Sequence, residues 1–187
     1  TVSCLSNLRQ HGFGILQYAD QYNGMLPGAL NNGSEHPYCW TEEIGDSSTI
    51  DFKKAKQYFC PSIPTDYTRQ KTYGLNSGMS HDTASGRVCN IYKLTVLFVN
   101  PLVKLTTTIY PLAGCTVSGT GNSMMQSAAL NYTQYKSGTI SDEGRPALYL
   151  VHSRAANLVF ADGHAQSLRE GELITKIGFV EAGLRLR

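Results

Sequence analysis

The chain has 187 residues, 41% of them apolar and 16% charged, which is enough for one folded domain with a buried core and unlike the composition of a disordered chain. Its formal net charge of +2 supplies no broad basic field, so nucleic-acid binding has no compositional support. No window approaches the roughly 18 consecutive apolar residues that span a bilayer; the most apolar run, Leu94 to Val99, is strand-sized.

The first segment carries the clearest helical pattern. Val2, Leu5, Leu8, Ile15, Leu16, Ala19 and Tyr22 recur at spacings of three and four, the signature of one apolar face. This predicts a helix over about Val2 to Tyr22 that packs through Leu5, Leu8, Ile15 and Ala19. Asn23-Gly24 followed by Pro27 is a C-terminal stop. Gly12 and Gly14 each weaken the helix by about 1 kcal/mol relative to alanine, a cost that close packing against another element would offset. The apolar pattern is already running at Thr1, which predicts an upstream continuation.

Residues 28–50 are rich in turn formers. Asp51 to Phe59 is short and amphipathic, compatible with helix or strand, and leads into Cys60-Pro61-Ser62. Thr72 to Ser80 reads as a small strand entering an Asn/Ser/Gly turn. Val88 to Val99 predicts one long strand or two, stopped at Asn100-Pro101, and Leu102 to Leu112 is dense in Thr and Ile, as strands are. Ser118 to Gly144 reads as an exposed excursion. Three strand-sized runs follow, Pro146 to His152, Asn157 to Ala161 and His164 to Leu168, separated by Ser153 to Ala156 and by Asp162-Gly163. Lys176, Arg185 and Arg187 read as a solvated tail. The fold class predicted is α+β: one N-terminal helix (residues 1–24) covering a mainly antiparallel sheet in a loop-rich β head (residues 25–187), together one domain.

Five cysteines, Cys4, Cys39, Cys60, Cys89 and Cys115, are scattered with no CxxC pair, so a zinc ribbon or a thioredoxin-like motif has no support. Two accounts stand: five buried thiols, or an oxidising compartment with up to two disulfides and one thiol left over. The second predicts at least one bridge among Cys39, Cys60, Cys89 and Cys115, with Cys4 as the odd thiol.

Two segments carry a resemblance. Cys4 to Pro27, CLSNLRQHGFGILQYADQYNGMLP, resembles the stretch after the membrane half-helix of prepilin-type proteins. HSRAANLVFADGH, in which nine residues separate His152 from Asp162-Gly163, resembles the processing-associated motif of the same proteins. Cys60-Pro61-Ser62 and Tyr73-Gly74-Leu75-Asn76 are weaker echoes in the same order. The resemblance implies a pilin-like fold and a parent protein with a leader, a prepilin-peptidase site and an apolar half-helix. It also implies anchoring in the inner membrane with the head in the periplasm or at the cell surface. Its partners would be other pilin or pseudopilin subunits, met through the N-terminal helix. The alternative is a membrane-anchored extracytoplasmic module that binds glycan or another solute, for which Tyr38, Trp40, Tyr132 and Tyr135 are the candidate aromatics.

Catalytic signals are absent: no HExxH, no G-x-S-x-G and no complete phosphate loop around Ser118 to Ser123. Cys60 and Cys115 have no histidine or basic neighbour in sequence that would activate them. His81-Asp82 and Asp142-Glu143 lie in Gly/Ser-rich stretches without the ligand rhythm of a calcium loop. No catalytic residue, metal ligand or cofactor is therefore assigned. His152, Asn157, Asp162, Gly163 and His164 are read as a fold signature. In that reading the three last strands form a meander, His152 pairs near Asn157 as a polar clasp, and Asp162-Gly163 makes a two-residue hairpin turn with both residues at positive φ. His152 and Asp162 then stand at opposite ends of one strand and cannot form a dyad.

Overall fold

The computed structural model describes residues 2–22, 24, 26–27, 30–31, 40–45, 54–64, 72–76, 79–82, 87–90, 111–119, 125–126, 129–130, 144–177 and 184–185. The architecture is α+β, with an N-terminal helix on a mainly antiparallel sheet system. Helix α1 runs Val2–Gln21 and buries Cys4, Leu8, His11, Gly12, Ile15 and Ala19, one stripe at spacings of three and four. Its predicted extent is right within one residue. The predicted face needs correction at its ends: Val2 is 82% and Tyr22 54% exposed, and Leu5 is only half-buried. Gly24 stops the helix with φ 81°, its N–H donating to the Ala19 carbonyl at 2.6 Å. Among the described residues no helix is long and apolar enough to cross a membrane.

Strands β1 (Leu30–Asn31), β3 (Met79–Asp82) and β4 (Arg87–Asn90) make a small antiparallel sheet in the order β1-β4-β3. The central sheet runs β11-β10-β5-β2-β8, from β2 (Gly74–Asn76), β5 (Pro111–Gly114), β8 (Ala129–Leu130), β10 (Ala155–Phe160) and β11 (Ala165–Arg169). The third sheet is β12-β9-β6-β7, from β6 (Thr116–Gly119), β7 (Met125–Gln126), β9 (Gly144–Tyr149) and β12 (Leu184–Arg185). Two pairs are parallel, β2 with β8 and β9 with β12. The predicted excursion over 118–144 thus supplies β7, β8 and the ends of β6 and β9. The expected strands over residues 91–110 lie outside the described residues.

All six residues of β10 are buried, because the strand is covered on both faces. Val159 meets Gly12 of α1, while Leu158 reaches across Gly114, beside Leu148 of β9. Side chains alternate along a strand, so Ala155 and Asn157 share the helix-facing side with Val159.

The meander reading fails at β9. Strands β9 and β10 are joined by a tight turn, yet they belong to different sheets. Their common partner is the ribbon 111–119, which changes sheets at Cys115. The Cys115 N–H donates to the Asn157 carbonyl at 3.1 Å, and its own carbonyl accepts from Tyr149 N–H at 2.8 Å. Before Cys115 the ribbon pairs with β10, after it with β9. The two strands therefore splay apart around Cys115. Only His152 and Ala155 face each other across the turn, exchanging backbone hydrogen bonds of 3.0 and 3.2 Å.

Ser153 and Arg154 fill that two-residue turn with φ of 57° and 61°, the double left-handed geometry that Asn-Gly adopts at low cost. Arg154 contributes only an exposed ion pair to Glu170 at 3.4 Å, and such pairs are worth little. Replacing Ser153 by Asn together with Arg154→Gly is expected to stabilise the fold by about 1 kcal/mol, read as a higher denaturant midpoint at unchanged m-value.

The hairpin β10–β11 is antiparallel as predicted, with Val159 opposite Ala165. Its turn has three residues, not two. Gly163 N–H donates to the Phe160 carbonyl and Phe160 N–H to the His164 carbonyl, both at 2.9 Å, and among the turn residues only Gly163 has positive φ, 86°. This is a type I turn closed by a left-handed residue, the usual three-residue hairpin.

Residues 170–177 are folded, while Arg187 of the expected solvated tail lies outside the described residues. A short turn of helix, α2 being Trp40–Ile44 and α3 Glu170–Glu172, continues into a wide turn Leu173–Ile177 that buries Leu173 and Ile177. Lys176 itself is exposed and pairs with Glu172 at 2.8 Å, and Leu184–Arg185 aligns beside β9.

Candidate functional site

Four side chains from distant parts of the chain meet where α1 begins and the ribbon 111–119 changes sheets. Cys4 sits in the first turn of α1, and Cys60 follows the 3-10 turn Lys56–Tyr58. Cys115 is the crossing residue, and His152 opens the Ser153-Arg154 turn. One donor atom from each lies within 4.8 Å of the other three, and all four residues are buried. Cys4 Sγ is 3.2 Å from Cys115 Sγ. His152 Nε2 is 3.4 Å from Cys60 Sγ and 3.8 Å from Cys115 Sγ. The sulfur–sulfur distance is far beyond a bond of about 2.05 Å, and the three cysteines are thiols rather than half-cystines.

Backbone pairing mounts these groups rigidly. Cys115 is hydrogen-bonded on both sides, His152 is closed against Ala155, and the Cys60 carbonyl accepts from Ile63 N–H at 3.1 Å. Tyr73, fully buried, donates its hydroxyl to the Phe59 carbonyl at 3.1 Å, next to Cys60.

The three thiols shift one another's acidity in opposite directions. Hydrogen bonds from Cys115 and then Cys60 outweigh burial and hold the Cys4 thiol far below the ordinary thiol range. Burial, followed by the contacts with Cys4 and Cys60, pushes Cys115 well above it. For Cys60 the hydrogen bond with Cys115 pulls downward, but the one with Cys4, burial and the Cys4 charge prevail and push it up to about 12. Burial first, and the cluster's charges after it, raise Tyr73 as well. A negative charge placed here is shared by donors that all point inward.

The sequence candidates are distributed differently from the expected clasp. His152 faces cysteines, and the Asn157 side chain is buried with neither Oδ1 nor Nδ2 hydrogen-bonded. Asp162 is engaged at the other end of β10: its Oδ1 accepts from the His164 N–H at 3.1 Å and contacts His164 Nδ1. Burial works against the Asp162 charge, but the side-chain and backbone hydrogen bonds from His164 hold its carboxyl below the ordinary value. The His164 ring stacks on Phe160 with centroids 4.4 Å apart.

Cys60 and Cys115, without a histidine nearby in sequence, have His152 beside them in space. Cys39 and the side chain of Cys89 lie outside the described residues, as do Tyr38, Tyr132, Tyr135, Asp142 and Glu143. His81 and Asp82 fall within β3, opposite Val88 and Arg87, rather than in a loop. Trp40, a candidate glycan aromatic, is fully buried, its Nε1–H donating to the Tyr73 carbonyl at 2.9 Å.

Local spacing offers no metal ligands, whereas the fold assembles three thiols and an imidazole, a donor set suited to a borderline-soft divalent ion. No sequence signal marks it, since Cys4 and Cys115 are 111 residues apart. What is legible is that Cys4, Cys60, Tyr73 and His152 each belong to one of the four segments that carry the prepilin-type resemblance.

Compared with protein-family models, curated proteins and solved structures, the chain matches none.

Proposed function

We propose that this chain is the head region of a prepilin-type filament subunit, a pilin or pseudopilin relative whose role is structural rather than catalytic. The observation that carries this reading is the joint placement of its two resembling segments. The 20-residue α1, about 30 Å long, lies along β10, the strand framed by the His-x9-Asp-Gly motif. Cys4 of the helix joins His152 in the thiol–imidazole cluster at one end of that strand, and Leu16 and Phe13 flank Gly163 at the other. A long helix seated on a sheet is the arrangement a filament subunit needs, because one end of the helix can enter a filament core while the sheet travels with it as a rigid head. Phe13, 58% exposed on α1, leaves apolar surface on the helix for a neighbouring subunit. The burial of all four groups in the thiol–imidazole cluster fits a structural part better than a nucleophile, which has to meet its substrate. The parent protein, in this reading, is held in the inner membrane with the head in the periplasm or at the cell surface.

The parent gene provides the test. Upstream of Thr1 it is expected to encode a short charged leader, a prepilin-peptidase site and an apolar half-helix with glutamate at the fifth mature position. Expressed with its peptidase, that product should be shortened by the leader, and shearing the cells should release filaments visible by electron microscopy. An upstream region coding for a polar enzyme domain, or a leader that survives in the presence of the peptidase, would sink the reading.

A further inference from the structure

We propose that Cys4, Cys60, Cys115 and His152 bind one zinc ion as a closed structural centre. The inference stands apart from the filament reading, since it uses only the donors and their geometry. Three thiolates and one imidazole are a common ligand set of structural zinc sites. A tetrahedron with zinc–sulfur bonds of about 2.3 Å and a zinc–nitrogen bond of about 2.0 Å has edges of about 3.5–3.8 Å. The separations here are 3.2, 3.4 and 3.8 Å, and no pair of the four donors exceeds 4.8 Å. Seating an ion asks the three closest pairs to shift by tenths of an ångström and any pair near the 4.8 Å limit to close by about 1 Å.

Burial decides the kind of centre. All four residues are in the interior, so the protein fills the coordination shell and leaves no position for water or substrate. Such a site holds structure and performs no Lewis-acid chemistry. The four donors converge within a core otherwise built largely of apolar side chains, where a shared ion would satisfy all four at once. Binding is balanced by proton release: the zinc ion displaces whatever protons the three thiols still carry, His152 donates its Nε2 lone pair, and no electron is transferred.

The place in the fold gives the centre a task. It ties the first turn of α1, the Cys60 turn, the crossing point of ribbon 111–119 and the His152 turn to one atom. Those elements lie up to 148 residues apart, from Cys4 to His152, and closing such loops is where a cross-link constrains the unfolded chain most.

The test uses the full chain, purified under reducing conditions and offered zinc, then cobalt, in place of any unknown ion. Native mass spectrometry is expected to show one zinc per chain, seen as the mass of one zinc less two hydrogens. The cobalt form is expected to show thiolate-to-metal charge transfer in the near ultraviolet and the intense visible bands of a tetrahedral site. Cys60→Ser and Cys115→Ser should each weaken zinc binding by at least about 100-fold, the upper end of what even outer-shell partners contribute. If a variant fails to fold, the cobalt spectrum of the unaltered chain still decides the matter. A folded, reduced chain that takes up no zinc overturns the proposal. So does cobalt bound without thiolate charge transfer, or a chain folded in zinc that emerges two hydrogens lighter with Cys4 cross-linked to Cys115.

Discussion

Replacing Gly12 by leucine is expected to remove about 3 kcal/mol of folding stability, a large share of what a domain of this size possesses. The reason is the contact between α1 and β10. A Cβ built on Gly12 runs into Val159 Cγ2, with Val159 Cβ at 3.6 Å. Val159 has no freedom to yield: it is fully buried and sits in mid-sheet between Ala113 and Ala165, and its branched side chain is stiff. Alanine at position 12 poses a sharper question, because two opposed effects then compete. Better helix propensity contributes about 1 kcal/mol, and the collision costs about 1–3 kcal/mol, so Gly12→Ala alone should destabilise. In a Val159→Ala background the collision is gone and the same substitution should stabilise. Urea midpoints of the two single variants and the double variant measure this reversal of sign. Simple additivity would mean that α1 does not approach β10 at this point.

Acid is expected to destabilise the protein well before its carboxylates titrate, through His11. The ring is buried, stacked on Tyr58 at 4.9 Å and set edge-on to Trp40 at 5.4 Å. Its Nε2 faces the Gln57 carbonyl at 2.9 Å; since a carbonyl only accepts, Nε2 carries the proton in the neutral ring. Burial lowers the pKa from 6.5 to about 4, with the Gln57 hydrogen bond and the Cys4 charge offsetting only part of it. The folded state therefore binds this proton more weakly than the unfolded chain does. The stability contribution is complete above pH 6.5, declines as the pH falls from 6.5 toward 4, and is constant below. A difference of this size corresponds to about 3 kcal/mol. His11→Gln retains a donor for the Gln57 carbonyl and cannot titrate, so its stability should fall less steeply between pH 6.5 and 4. Equal slopes for the two proteins would show that His11 is not the titrating group.

The two histidines differ in legibility, and for physical reasons. His11 lies on the buried stripe between Leu8 and Ile15, so helical spacing alone places it toward the core. Its aromatic surroundings, Trp40, Tyr58 and Tyr73, come from three separate segments and are invisible to that spacing. His152 is conspicuous in the sequence through its distance from Asp162-Gly163, yet that distance suggests a strand-end clasp with Asn157. The fold instead turns it toward cysteines, because β9 leaves β10 to follow the ribbon beyond Cys115.

Helix α1, its stop at Gly24 and the β10–β11 hairpin were determined by sequence alone, since apolar periodicity and turn chemistry act between residues a few positions apart. Even there the turn gained a residue. Gly163 can adopt positive φ at no cost and Asp162 prefers to accept from His164, so one left-handed position suffices. The partition into three sheets, the burial of Trp40 and the convergence of Cys4, Cys60, Cys115 and His152 were decided only by tertiary structure. Their cause is where the ribbon 111–119 crosses from one sheet to another, a choice set by how helix and sheets share one core. Neighbours brought together across 37, 92 and 111 residues leave no periodicity behind them, because nothing in the local chain depends on their meeting.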